Sequence, residues 1–152
     1  SAQPAIPAVG VSVAADVQAL IASVYRAQGR QAAKTEAHRI AEKLLNRKKP
    51  PTAICASNDD MAAAAVSVAH RRGMDVPRDV SIVGFDDTPT ATTVWPELTT
   101  IRQPIAAMAA SSIELLLRSI RRRKDNEARV VVDHVVAHIL VKRDSVAPPV
   151  AT

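Results

Sequence analysis

Two short apolar runs bracket an alanine-rich stretch, and this arrangement limits the chain to a small group of folds. Thr52-Ala53-Ile54-Cys55-Ala56 is a continuous run of the kind a buried parallel strand shows, and Val80-Ser81-Ile82-Val83-Gly84-Phe85 is a second. Between them, Ser57-Asn58-Asp59-Asp60 supplies helix-starting residues, Met61 to Arg72 has high helix propensity, and Gly73 provides the stop before the Val76-Pro77-Arg78-Asp79 connection. Strand, helix and strand predict one βαβ unit with a right-handed crossover. Its loops gather at the carboxyl ends of the parallel strands, where open α/β sheets bind their ligands, so Asn58 and Asp86 share that edge.

The flanks extend the pattern. Residues 1–10 hold two prolines and no periodicity and read as a loose leader or a cut end. Val17, Leu20, Ile21 and Val24 predict a helix from about Val11 to Ala27; Ala37, Ile40, Ala41, Leu44 and Leu45 predict another from Thr35 to Arg47, ended by Pro50-Pro51. Beyond Phe85, placed in the core by its apolar run, comes an irregular loop from Asp87 to Glu97. A short strand follows at Leu98-Thr99-Thr100-Ile101, then a helix from Pro104 to Arg123 with Ile105, Met108, Ile113, Leu116, Leu117 and Ile120 inward. Arg129 to Asp133 and Val135 to Val141 read as closing β segments before the Pro148-Pro149 tail.

Composition narrows the function classes. A chain of 152 residues, 47% hydrophobic and 23% charged, suits one ordinary domain, and no apolar run approaches the length of a spanning helix. Without a basic, then apolar, leader pattern, the chain reads as cytoplasmic. The single Cys55 allows neither an internal disulfide nor a cysteine metal cluster. Only Tyr25, Phe85 and Trp95 carry rings for base stacking. The net charge of +5 comes entirely from residues 1–50, with eight Lys/Arg against three acids, while residues 51–152 carry twelve of each. These cations are spread along a helix face, and Arg118, Arg121, Arg122, Arg123 and Lys124 sit at a helix end where the dipole favours them, so both sets read as solvated structure.

Catalytic signatures are lacking. The serines have no Gly-x-Ser-x-Gly elbow and no histidine partner, and there is no phosphate loop to accompany a magnesium site at Asp59-Asp60 and Asp86-Asp87. His134 and His138 have i, i+4 spacing, but on a strand that spacing builds no helical metal site, and no acidic or cysteine cluster accompanies them. No catalytic residue, metal or cofactor is therefore assigned.

Three polar clusters remain: Ser57-Asn58-Asp59-Asp60, Asp86-Asp87-Thr88 and Thr99-Thr100-Ile101-Arg102-Gln103. Amides that donate and accept, beside carboxylates that accept, suit a hydroxyl-rich ligand such as a sugar or nucleoside. The alternative is that Ser57 or Asn58 only caps a helix and Asp86 or Asp87 only shapes a turn. The residues by themselves leave both readings open.

Four segments resemble the LacI/GalR (lactose/galactose repressor) family in order and spacing: Pro51 to Ala62, Val80 to Asp87, Trp95 to Pro104, and Val141-Lys142-Arg143-Asp144-Ser145-Val146-Ala147-Pro148-Pro149. The resemblance covers about residues 50–149. It implies an α/β fold: a three-layer, Rossmann-like lobe of the periplasmic-binding-protein type I fold, with a mostly parallel sheet and helices on both faces. On this reading residues 11–149 are the C-terminal lobe of an effector-binding domain, and the DNA-binding headpiece and first lobe are absent. The resemblance further implies a small effector of the sugar or nucleoside class in an inter-lobe cleft, contacted by Asn58 and Asp86 with Gln103 close by, a homodimer, and operator DNA as partner only through the missing headpiece. The chain departs from the family where Ala32 takes the place of an aromatic stacking residue, with Arg26 and Arg30 as the nearest arginines. Two other readings stand beside this one: a truncated dimerising fragment that binds no effector, and a periplasmic-type solute-binding protein.

Overall fold

The computed structural model describes residues 30–124 and 134–148. The predicted helix at 11–27 and the β segment at 129–133 lie outside these, as do Arg26 and the side chains of Arg30 and Ala32.

The βαβ unit forms as its residues dictate. Strand β1 (Ala53–Cys55) runs parallel to β2 (Ser81–Val83), with Ala53 opposite Ser81, Ile54 opposite Ile82 and Cys55 opposite Val83. Helix α2 (Asp59–Arg71) crosses between them after α1 (Arg30–Leu45). Asn58, in extended backbone, caps α2 by accepting the Met61 N–H at 2.9 Å on Oδ1, and Asp59 and Asp60 place negative charge against the positive end of the dipole. The other end closes as a Schellman turn: Gly73, at φ +70°, donates to the His70 carbonyl at 2.9 Å and Met74 reaches back to Ala69 at 3.0 Å. A residue with a Cβ would be strained at that φ.

Past β2 the chain makes the short helix α3 (Thr90–Thr93), inside the stretch expected to be irregular, and then β3 (Thr100–Arg102). A parallel bridge from Val83 to Thr99 sets β3 beside β2, and the ladder continues through Gly84 N–H to Thr99 O and Asp86 N–H to Ile101 O, both 2.9 Å. Helix α4 (Ile105–Lys124) leads away, and β4 (Ile139–Val141) returns antiparallel to β3. The core lies where α2 packs on the sheet and α1 lies along α2: Ala62, Ala65, Val66 and Ala69 meet Ile82, Val80 and Leu98, with Ala41 and Leu45 closing from α1.

Four local expectations change. The β1 segment is not a buried strand, because Ala53 and Cys55 are exposed where β1 has only β2 as a partner among the described residues. Phe85 leaves the core, since β2 ends at Val83 and the ring is left 37% exposed at the carboxyl edge. The closing strand shrinks to three residues, and His134 and His138 precede it as exposed positions outside any strand. The apolar side of α4 does not face inward: no residue of the helix is buried, and Ile105, Ile113 and Leu116 are at least 60% exposed. Its periodicity is that of an amphipathic helix, but no other described element covers the stripe.

Candidate functional site at the carboxyl edge of the strands

The first two polar clusters meet at the carboxyl edge as the βαβ reading expects, and the third joins them there from the end of β3. Asn58 follows β1, Asp86 follows β2 and Gln103 follows β3, and all three are half-buried. Gln103 Nε2 donates to Asp86 Oδ1 at 2.5 Å, so these two side chains form one unit. Adjacent strand ends carry Asn58 and Asp86, linked by the Asp59 N–H donating to the Phe85 carbonyl at 2.9 Å.

The capping alternative holds for Asn58 in part. Its Oδ1 is committed to the helix, which leaves the Nδ2 amide as the donor it can offer. Asp86 likewise shapes a turn: it lies at φ +103° and Asp87 at φ +53°, two successive non-glycine residues in a region that L-residues seldom adopt. Such backbone costs on the order of 1–3 kcal/mol per residue and persists where surrounding bonds fix it. With Gln103 on Oδ1, the second oxygen of Asp86 remains as an acceptor. An amide donor, a carboxylate acceptor and a Gln carbonyl together match adjacent hydroxyls, each of which donates and accepts.

Two residues to which the sequence reading gave no part in the effector site, Asp59 and Arg143, hold this edge. Asp59, fully buried, accepts from the Thr88 N–H at 2.6 Å, the Thr88 hydroxyl at 3.1 Å and the Thr100 hydroxyl at 2.6 Å. A Cβ on Gly84 would overlap its Oδ1. Arg143 donates to Asp87 Oδ1 at 2.6 Å and to the Leu98 carbonyl at 2.8 Å, while Arg102 reaches Asp87 Oδ2 at 2.6 Å. Burial would by itself raise the Asp87 pKa, but the hydrogen bonds from Arg143 and Arg102, with their charges, outweigh it and hold the carboxyl below its ordinary value. The partners of Asp59 and Asp87 lie far away in the sequence, so no local pattern shows what either carboxylate holds.

The remaining carboxylate is also engaged: Asp60 accepts from the Thr90 hydroxyl at 2.9 Å and pairs with Lys34 at 3.3 Å. All four carboxylates once considered for a cation are thus held by protein donors. A cavity of about 250 Å³ opens elsewhere, between α1 and β1, lined by Ala37, Ile40, Leu44, Ile54 and Met61 among others. Asn58, Asp86 and Gln103 do not line it. Its wall is largely apolar and offers little to orient a hydroxylated ligand, so the strand-end trio remains the better candidate.

Comparison with known proteins bears on the fold. The family of periplasmic binding protein-like domains matches residues 8–146. The chain is 41% identical over 106 residues to the HTH-type transcriptional regulator GalR of Escherichia coli (strain K12), covering 70% of this chain and 30% of that protein. Among solved structures it resembles a LacI family transcriptional regulator from Lactobacillus casei with bound sucrose, at 25% identity and a TM-score of 0.58 over 74% of this chain and 40% of that one. It also resembles the dimeric Lac repressor with an 11-residue C-terminal deletion, at 28% identity and a TM-score of 0.62 over 76% of this chain and 41% of that one. A parallel α/β unit with a polar carboxyl edge and these matches defines a periplasmic binding protein-like domain. More narrowly, the chain belongs to the LacI/GalR family of transcriptional regulators. It spans about 30% of the length of the E. coli regulator.

Proposed function

We propose that this chain is the ligand-sensing and dimerisation part of a bacterial transcriptional regulator, and that it binds a small effector of the sugar or nucleoside class at Asn58, Asp86 and Gln103. The observation that carries the reading is the Asp86–Gln103 hydrogen bond at the strand ends, beside the capping amide of Asn58. Donors and acceptors fixed before the ligand arrives lose little freedom on binding.

The mechanism is conformational and involves no catalysis. An effector held between this edge and a second wall favours one arrangement of the walls, and its differential affinity for the two arrangements sets how far operator binding can shift. Contact with operator DNA belongs to a helix-turn-helix part of the kind named in the GalR relative. The exposed apolar side of α4, and the likeness to a dimeric repressor, support a homodimer. No described helix is long and apolar enough to cross a membrane, which fits work in the cytoplasm beside DNA.

Calorimetric titration of the chain with sucrose, galactose, maltose and adenosine tests the reading. At least one probe binds, and Asp86→Ala weakens it roughly 10- to 100-fold, the loss expected for hydrogen bonds to a charged group. Dimerisation with no binding by any probe favours instead a dimerising fragment that senses no effector.

A further inference from the structure

The Asp86-Asp87 turn is held at both ends by one residue that cannot itself reach a ligand. On the near side, the Asp59 N–H donates to the Phe85 carbonyl at 2.9 Å. On the far side, the Asp59 carboxylate takes the Thr88 N–H at 2.6 Å and the Thr88 hydroxyl at 3.1 Å. The two residues in between are those with positive φ, and Asp86 is the one that meets Gln103. A third tie runs to β3, where the Thr100 hydroxyl donates to Asp59 Oδ1 at 2.6 Å three residues before Gln103. Asp59 also follows Asn58 directly. Each strand end that carries a binding side chain is therefore bonded to this residue or adjoins it in sequence.

The surroundings show that the tie is exclusive. Asp59 is fully buried, and Gly84 offers its carboxylate a place that any side chain would fill. Three donors converge on two oxygens in a space closed to solvent, and without them the carboxylate would be a buried, unpaired charge. The energy that keeps the turn in its unfavourable backbone thus comes from the same contacts that keep the carboxylate satisfied.

We propose that Asp59 is the positioning residue of the effector site: by clamping Phe85, Thr88 and Thr100 it fixes the Asp86–Gln103 pair relative to Asn58. This rests on the proposed binding site for its purpose, but its geometric content can be tested without a ligand. Thr100→Val keeps shape and volume and removes one tie. Asp59→Asn keeps an acceptor for the Thr88 N–H, and its amide can donate to the Thr100 oxygen. Two-dimensional ¹⁵N–¹H NMR of the full chain reads the result. Thr100→Val is expected to move the Asp86 backbone signal and the Gln103 side-chain amide signals, and Asp59→Asn to move them less than Asp59→Ala. Leu45→Ala, a core substitution in α1, serves as the stability control and leaves those signals in place. Unmoved Asp86 and Gln103 signals in both Thr100→Val and Asp59→Asn overturn the proposal, as do equal shifts in the Leu45→Ala control.

Titration with sucrose, galactose, maltose and adenosine separates this outcome from that of the site reading. If a probe binds, Thr100→Val weakens it about tenfold, as loss of a supporting hydrogen bond behind a binding group commonly does, while Leu45→Ala leaves affinity unchanged. Unchanged affinity in Thr100→Val overturns the proposal. If no probe binds, the site reading fails, and the NMR result alone decides whether Asp59 positions the edge.

Discussion

Ser145 and Ile82 are joined twice: the Ile82 N–H donates to the Ser145 carbonyl at 2.9 Å, and the Ser145 hydroxyl returns a bond to the Ile82 carbonyl at 2.5 Å. The same hydroxyl accepts the Thr99 N–H at 2.9 Å. One fully buried serine thus fills the gap in the ladder between β2 and the approach to β3. Around it, Ala147 exchanges two bonds of 3.1 Å with the Ser81 hydroxyl, and Arg143 exchanges two with that of Thr99.

Ser145→Ala removes the donor for one buried carbonyl and the acceptor for one buried amide. The expected cost is about 2 kcal/mol, seen as a melting temperature lower by about 4–8 °C for a chain of this size. Differential scanning calorimetry measures it, and a change within error would show that the hydroxyl is replaced there without loss.

Acid should release the Asp87 cluster. Its folded-state pKa lies below the ordinary 3.8, so the cluster's contribution is fully present above that value and fades as pH falls through the lower folded value. Asp87→Asn is expected to lower stability at pH 7 and to flatten the stability profile in the acid range. Urea denaturation followed by circular dichroism at pH 7, 4 and 3 tests this, and parallel profiles for variant and parent would rule it out. Arg143→Met, which leaves a buried carboxylate with one cation fewer, is expected to cost about 2–3 kcal/mol at pH 7.

Gly84→Ala should destabilise by roughly 1–3 kcal/mol through overlap with Asp59. The cost is coupled: in Asp59→Ala the obstructing oxygen is gone, so the two substitutions together cost less than the sum of each alone. A double-mutant cycle on melting curves that closes additively would show the two residues to be independent.

The α4 surface carries the dimer expectation. Placing Lys at Ile113 and Glu at Leu116 keeps the helix and breaks its apolar stripe. Light scattering is expected to report a dimer for the parent and a monomer for the double variant. An unchanged mass for the variant would move the interface elsewhere.

Local signals explain what was legible in the sequence. The Asn58 cap, the Gly73 stop and the βαβ order depend on residues within a few positions of one another, so reading them in sequence located the carboxyl edge with Asn58 and Asp86 on it, whereas Gln103 joined them through the family resemblance. The roles of Asp59 and Asp87 were not legible, although both stand in the polar clusters, because the partners of Asp59, Thr88 and Thr100, lie 29 and 41 residues away and Arg143 lies 56 from Asp87. The α4 stripe shows the complementary failure. Hydrophobic spacing states which side of a helix wants a partner, but whether one is present depends on other elements, and Leu116 and Ile113 are exposed although their spacing is that of core residues.

The clasp around Ser145 also orders events during synthesis. A chain leaving the ribosome amino end first delivers the βαβ unit long before the segment that completes it, since Ser145 follows Ile82 by 63 residues. Until that segment emerges, the Ile82 amide and carbonyl that it will satisfy have only water or a chaperone as partners. The nascent domain thus passes through a stage with one raw sheet margin, and the segment around Ser145 is the one that seals it.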